Sequence, residues 1–397
     1  MDFREFEFEA KEFRDIGYTI FRGHVSDADC DSLADTALKT LFSLAFGSKE
    51  DPPEPSFENL KFFALPEERK KLPSPSCIWV NGKADQPLCS KVTGLCYGSY
   101  IKEVQSKFTM TLETYEKLAA CYGSTEIAQI YGPKRYTIRM KGGHRGQTMM
   151  DANLLSDFNN VCTGEKVISS LIVCVDGNAN IEDIGTICLI PRFHLYRHHA
   201  RIFFNFIGGE RKMPLNISTP MKFEDDFLDE NLPAFNTLLS ELHAIQDGKM
   251  PSSKRYNVYK KLKLPDTFRE LVWKSVFVRK GDLFCRSHWL PYYDTPCNTS
   301  IPLIALQVGY YLIPNDFLGS YKQRRLVEAL ENGFIMDECQ EWEKVKNNTY
   351  EKYLRKRLGD KSSYFYIPEN DDDVDFAMFI QCLDIGLSTT QLGMDLE

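Results

Sequence analysis

The stretch from Val276 to Tyr311, VFVRKGDLFCRSHWLPYYDTPCNTSIPLIALQVGYY, constrains the fold more than any other part of the chain. Val276, Phe277 and Val278 lead into the turn signal Lys280-Gly281-Asp282, after which Leu283 and Phe284 resume an apolar strand. Ile304 to Tyr311 form a second strand, and the Pro, Asn and Thr content of Pro291 to Pro302 predicts a loop between the two.

Elsewhere the chain alternates helical and strand-like patterns. Asp15 to Phe21 reads as a short strand entry, and Ser26 then caps a helix with Cys30, Leu33, Ala37 and Leu41 on one face. Six prolines between residues 47 and 75 predict a surface excursion. A helical pattern runs from Ile101 to about Ala120, and Tyr136 to Met140 is strand-like up to Gly142-Gly143. Residues 201–274 hold a helix, PAFNTLLSELHAIQ, with Phe235, Leu238, Leu239 and Leu242 on one side. Further helices are expected over 320–332, 337–358 and 376–383, the last capped by Asp371 to Asp373.

Three blocks resemble, in order, the phytanoyl-CoA dioxygenase family of Fe(II)/2-oxoglutarate oxygenases. Gln147 to Leu154, QTMMDANL, is similar to that family's His-x-Asp-x-Asn strand end, with Met149 in the His position and Asp151 and Asn153 matching. Val167 to His194 is similar to its hairpin ending in Pro-Gly-Ser-His, with Arg192 where Gly is usual. Val276 to Tyr311 is similar to its last hairpin, where the second iron-binding His falls on Tyr292 or Tyr293 and the oxoglutarate-binding Arg on about Leu303.

The resemblance implies an α+β fold with a double-stranded β-helix (jelly-roll) core over 136–313, a helical insertion over about 201–274, an N-terminal flank over 1–135 and a C-terminal helical extension over 314–397, all in one domain of 1–397. It also implies a degenerate site. Of the family's two histidines and one carboxylate only Asp151 remains, and a thioether such as Met149 is a poor ligand for ferrous iron. No catalytic, cofactor-binding or metal-binding residue is therefore assigned and no cofactor is expected; the vestigial pocket would comprise Met149, Asp151, Tyr293 and Leu303.

Other candidate chemistry has simpler structural explanations. His194, His198 and His199 are spaced as a metal group, but no carboxylate or Cys stands at ligand spacing beside them. His144 precedes Asp151 by too many residues, His288 sits at a strand end, and nothing orients Cys285 or Cys297 toward a His. A net charge of -8 argues against a nucleic-acid binder, and neither a secretory peptide nor a run of eighteen apolar residues is visible. Twelve cysteines are too dilute for a secreted disulfide scaffold, so the protein is expected inside cells, in cytoplasm, nucleus, or a viral or inclusion particle.

The expectation is a non-catalytic protein with a structural or self-assembly role, such as a viral occlusion-body or particle-matrix component, whose main partner is itself, with no nucleic acid and no membrane. One alternative is an active Fe(II)/2-oxoglutarate oxygenase with displaced ligands from His144, Asp151 and His288, or His194. The other is a regulatory pseudoenzyme binding one protein partner.

Overall fold

The Gly281-Asp282 turn sets where the strand Leu283–Ser287 starts. Gly281 has φ of +82°, and a Cβ there would meet the Val25 carbonyl oxygen at 2.5 Å, so only glycine fits. The buried Asp282 carboxylate accepts from the Arg279 and Gly23 amides at 2.7 and 3.2 Å and pairs with Arg22. This ties the turn to the N-terminal segment across more than two hundred residues of chain.

The computed structural model describes residues 3–46, 51–64, 78–81, 91–95, 107–108, 112–123, 127–141, 145–151, 166–208, 221–223, 226–259 and 262–312. Its helices are α1 (Glu7–Ile16), α2 (Asp27–Phe46), α3 (Lys61–Ala64), α4 (Leu112–Tyr122), α5 (Arg197–Gly208) and α6 (Phe227–Gln246). The strands are β1 (Tyr18–Phe21), β2 (Ile78–Asn81), β3 (Lys91–Leu95), β4 (Ile127–Arg139), β5 (Met149–Met150), β6 (Lys166–Cys174), β7 (Ile187–Leu189), β8 (Met221–Lys222), β9 (Lys274–Ser275), β10 (Leu283–Ser287), β11 (Tyr292–Asp294) and β12 (Leu303–Leu312).

Two antiparallel sheets form. One has the order β1-β10-β6-β12-β4-β3-β2, the other β8-β5-β11-β7-β9. From β4 the chain passes to β5, back to β6, across to β7, and later from β10 to β11 to β12, changing sheet at each step. Residues on alternate positions of the large sheet serve different layers. Leu171, Val173, Leu283, Cys285, Ile304 and Leu306 join a cluster with Cys30, Leu33, Ala37 and Leu41 of α2, whereas Ile172, Phe284, Leu303 and Ala305 join a second cluster with residues of the small sheet, α5 and α6. Both faces of the central strands are thus buried, which accounts for their nearly continuous apolar sequence.

Helix α2 starts as its sequence predicts, with the Asp29 amide donating to Ser26 Oγ at 3.2 Å and Cys30, Leu33, Ala37 and Leu41 all inaccessible. Phe235, Leu238, Leu239 and Leu242 likewise form the buried side of α6. The expected first turn of the Val276 to Tyr311 stretch needs correction in two places. Only Lys274–Ser275 is strand before the turn, with Val276 held beside β7 by its amide donating to the Ile187 carbonyl at 2.9 Å. The predicted loop from Pro291 to Pro302 contains β11, because Tyr292, Tyr293 and Asp294 pair with Leu189, Cys188 and Ile187. Long-range pairing there overrides the turn-forming flanks. The helices expected over 320–332, 337–358 and 376–383, the Asp371 to Asp373 run, His144 and Asn153 lie outside the described residues. No helix among the described residues is long and apolar enough to cross a membrane.

Arg192 adopts φ of +67° as its amide donates to the Ile16 carbonyl at 2.8 Å. A left-handed non-glycine residue costs about 1 kcal/mol or more, while glycine adds freedom to the unfolded chain. Arg192→Gly is therefore expected to stabilise the fold by up to about 1 kcal/mol, measured as a higher urea midpoint at unchanged slope.

Candidate functional site

Strand β5 is short, but its alternation decides the site. Met149 and Asp151, two residues apart, share a face, and Met149 stands directly opposite Tyr292 of β11. Of the two tyrosines that the resemblance allows in the second His position, Tyr292 is the one beside Asp151, with its hydroxyl 3.5 Å from Asp151 Oδ1. Tyr293 faces the other way, so its place in the expected pocket is corrected. Its ring packs on Trp273 at 4.8 Å and lies under the Arg145 guanidinium at 3.7 Å, and Arg145 and the Trp273 indole both engage Asp229. Leu303 does line the cavity between the sheets.

That cavity holds about 70 Å³ and is faced by Thr137, Arg139, Ser170, Arg286, Asp294 and Gln307 among its polar groups. Arg286, on β10, is fully buried. Its Nη2 lies 2.5 Å from Asp151 Oδ2 and its guanidinium stacks 4.0 Å from the centre of the Tyr292 ring. The Asp151 contact is one of charge rather than an aligned N–H bond, and none of the Arg286 nitrogens has a hydrogen-bond acceptor among the described protein atoms. Burial works against the Arg286 charge, yet the Asp151 carboxylate and Tyr292 hydroxyl outweigh it and raise the guanidinium pKa.

A second pair completes the arrangement. Arg139 of β4 reaches across to Asp294 of β11, Nη1 to Oδ1 at 2.7 Å, and donates from Nη2 to the Thr295 carbonyl. Each pair joins an arginine of the large sheet to an aspartate of the small one.

The other sequence candidates separate in space. His194 Nε2 is 3.0 Å from the Arg14 carbonyl, and its ring fills the place where a Cβ on Gly17 would go, so it fastens α1 to the core. His198 is exposed, and His199 is buried against Tyr196 and stacked on Tyr259 at 6.3 Å. His288 packs on Trp289. Cys285 lies on the helix-facing side of β10 beside Cys121, where burial first and that thiol second raise its pKa well above the ordinary value, the opposite of an activated nucleophile. Cys297 packs against Gly185 with Sγ 3.5 Å from Thr299 Oγ1. No group of three His, Cys, Asp or Glu side chains suited to a metal occurs among the described residues.

The donor set around Asp151 does not fit ferrous iron. A thioether and a phenol would stand where two imidazoles are needed, the one carboxylate is already held by a guanidinium, and a cation entering there would face the positive charge of Arg286. Arg286, Arg139 and Asp294 were not singled out in the sequence. The signal was present in FCRSH, where an arginine sits midway along an apolar strand and must find a buried partner.

No family model matches the chain, and no curated protein does. Among solved structures, it is similar to AviO1 from Streptomyces viridochromogenes Tue57 (12% identity, 77% of this chain and 95% of that chain, TM-score 0.39). It is similar to the epimerase SnoN in complex with Fe3+, alpha ketoglutarate and nogalamycin RO (9% identity, 78% and 84%, TM-score 0.43). It is also similar to EvdO2 from Micromonospora carbonacea var. aurantiaca (12% identity, 77% and 90%, TM-score 0.38). The likeness to Fe/2-oxoglutarate-dependent oxygenase-fold proteins is one of resemblance alone, and the chemistry of this pocket follows from its own side chains.

Two predictions follow from the geometry. Arg286→Met, which leaves the inner oxygen of the partly exposed Asp151 carboxylate without its cation, is expected to cost up to about 3 kcal/mol, whereas Asp151→Leu with Arg286→Met removes both charges and is expected to recover most of that loss in chemical denaturation. The second concerns His199, whose pKa is lowered to about 4, chiefly by burial and then by the charges of His198 and His243. Its native state stays neutral while the unfolded chain begins to bind a proton near pH 6.5, so stability present above that pH is lost as pH falls toward 4. Between pH 7 and 5 the loss is about 2 kcal/mol, and His199→Phe is expected to reduce the pH dependence of the urea midpoint by that share.

Proposed function

We propose that this chain is a non-catalytic member of the oxygenase fold, a double-stranded β-helix whose metal centre has been replaced by an internal ion pair and whose remaining role is that of a scaffold, self-assembly included. The strand-by-strand exchange between sheets supports the double-stranded β-helix. One observation carries the loss of catalysis: the Arg286 guanidinium holds Asp151, the only residue retained from the family's metal triad. A fixed positive charge on the carboxylate does for the fold what a metal would otherwise do, neutralising a buried anion, and supplies no open coordination position for oxygen or substrate.

The rival enzyme with displaced ligands would have to hold iron through Asp151 Oδ1 while Arg286 keeps Oδ2, next to a fixed positive charge. Among its other ligands, His194 is turned to the Arg14 carbonyl and His288 is packed on Trp289. Anaerobic calorimetric titration with Fe(II) is expected to show no stoichiometric binding, and 2-oxoglutarate is expected not to be decarboxylated. A triple variant with Met149→His, Tyr292→His and Arg286→Leu is expected to gain Co(II) binding with the visible absorption of a nitrogen-ligated site. Tight iron binding by the unaltered chain, coupled to oxoglutarate turnover, would falsify the proposal. Sedimentation velocity over a range of concentration reads the scaffold role, which requires reversible growth beyond a monomer.

A further inference from the structure

Helix α1 and the 3-10 turn before it set carboxylates beside an uncovered aromatic ring. At helical spacing Glu5, Glu9 and Glu12 fall on one flank of Phe8, with Lys11 and Arg14 on the other, while Phe6, Ala10 and Phe13 turn toward the core. Phe8 is 75% exposed, the most of any large apolar side chain among the described residues. The segment leading to Gly281 is its chemical counterpart. Along it Val272 (53% exposed), Lys274, Phe277 (39% exposed) and Arg279 all reach solvent, and Glu270 is the one acid between Arg269 and Lys280. The Arg22 and Arg279 guanidiniums lie 5.8 and 5.3 Å from the centre of the Phe277 ring. Arg22 is held by Asp282, but neither Lys274 nor Arg279 is paired with a carboxylate among the described residues.

We infer that these patches are the two halves of one contact between copies of this chain: the acidic flank of Phe8 on one copy docks on the basic strip 272–279 of a second. With a net charge of -8 two copies repel on average, so they meet stably only where carboxylates find cations, and the strip supplies those cations. Both patches border β1, from opposite sides of its sheet. Phe6 of the acidic segment packs edge-on against Phe21 at 5.9 Å, whereas the Lys274 ammonium lies 6.0 Å over the Tyr18 ring and Arg22 donates to the Phe277 carbonyl at 3.2 Å. Because each copy carries both halves on either side of one strand, a twofold axis makes the contact twice and closes the pair. Phe8, Phe277 and Arg279 are side chains of the kind that anchor protein contacts, and the surrounding charges fix which way round the copies meet. The inference rests on the self-assembly reading above and names the surface that carries it out.

Sedimentation velocity of the full chain at rising concentration is expected to show a reversible dimer, weakened several-fold when salt is raised from about 0.05 to about 0.5 M. Phe8→Ser is expected to raise the dissociation constant at least about tenfold. The decisive test uses two charge-reversed chains, one carrying Glu5→Lys with Glu9→Lys and the other Lys274→Glu with Arg279→Glu. Each alone sets like charges against each other and is expected to associate at least about tenfold more weakly than the unaltered chain. Mixed in equal amounts they present opposite charges at both contacts, and association is expected to return to within about threefold of the original. Circular dichroism and an unchanged urea midpoint confirm that every variant is folded. Self-association that none of these substitutions weakens, or reversed chains that fail to associate with each other, would overturn the inference and leave the self-assembly reading standing. An unaltered chain that stays monomeric at every concentration would remove that reading as well.

Discussion

Two arginine-aspartate pairs, each crossing from one sheet to the other, set the terms on which the core of this protein holds together. Removing a charged group from water costs several kcal/mol, and a buried ion recovers that only when its partner is close and fixed. Arg286 meets Asp151 and Arg139 meets Asp294 in a space otherwise lined by aliphatic and hydroxyl-bearing side chains. Because the partners lie on opposite sheets, neither pair forms unless the sheets are already in register. The pairs therefore add little net stability compared with an apolar core, yet they penalise any packing of the sheets that would separate them.

The rest of the fold supplies that register. Gly281 and Asp282 place the start of β10 by binding it to the Gly23 to Val25 backbone, and from there Arg286 falls on the inward face three residues after Leu283. His194, pressed against Gly17, and the Arg192 amide on the Ile16 carbonyl hold α1 against the same end of the sheet. On the small sheet, the Arg145 guanidinium between Tyr293, Trp273 and Asp229 covers the outer face of β11, leaving Tyr292 directed inward. Each of these contacts is remote from the cavity, and each determines which side chains enter it.

Much of this was legible in the residues. The Gly-Asp turn, the strands around it, the capped α2 and the buried side of α6 all follow from local chemistry and periodicity, and local chemistry acts whatever the tertiary surroundings. The resemblance to the phytanoyl-CoA dioxygenase family puts Met149 and a tyrosine in its two histidine positions, though it does not say which of two adjacent tyrosines faces inward, since a one-residue change of register reverses every side chain in a strand. Strand β11 was hidden because its pairing with β7 is a long-range event that proline-rich flanks obscure. Arg286 and Arg139 were hidden for a related reason. A charge within an apolar strand announces that it needs a partner, but the partners, Asp151 and Asp294, belong to the other sheet, and only the folded chain brings them within reach.

On the proposed reading, the Arg286 guanidinium stands beside Asp151 where a metal would have to bind. X-ray data collected at the iron absorption edge from crystals grown anaerobically with excess Fe(II) test it most directly. No anomalous peak is expected beside Asp151, with continuous density joining its carboxylate to Arg286. A peak within bonding distance of Asp151, with the Arg286 side chain displaced, would contradict it.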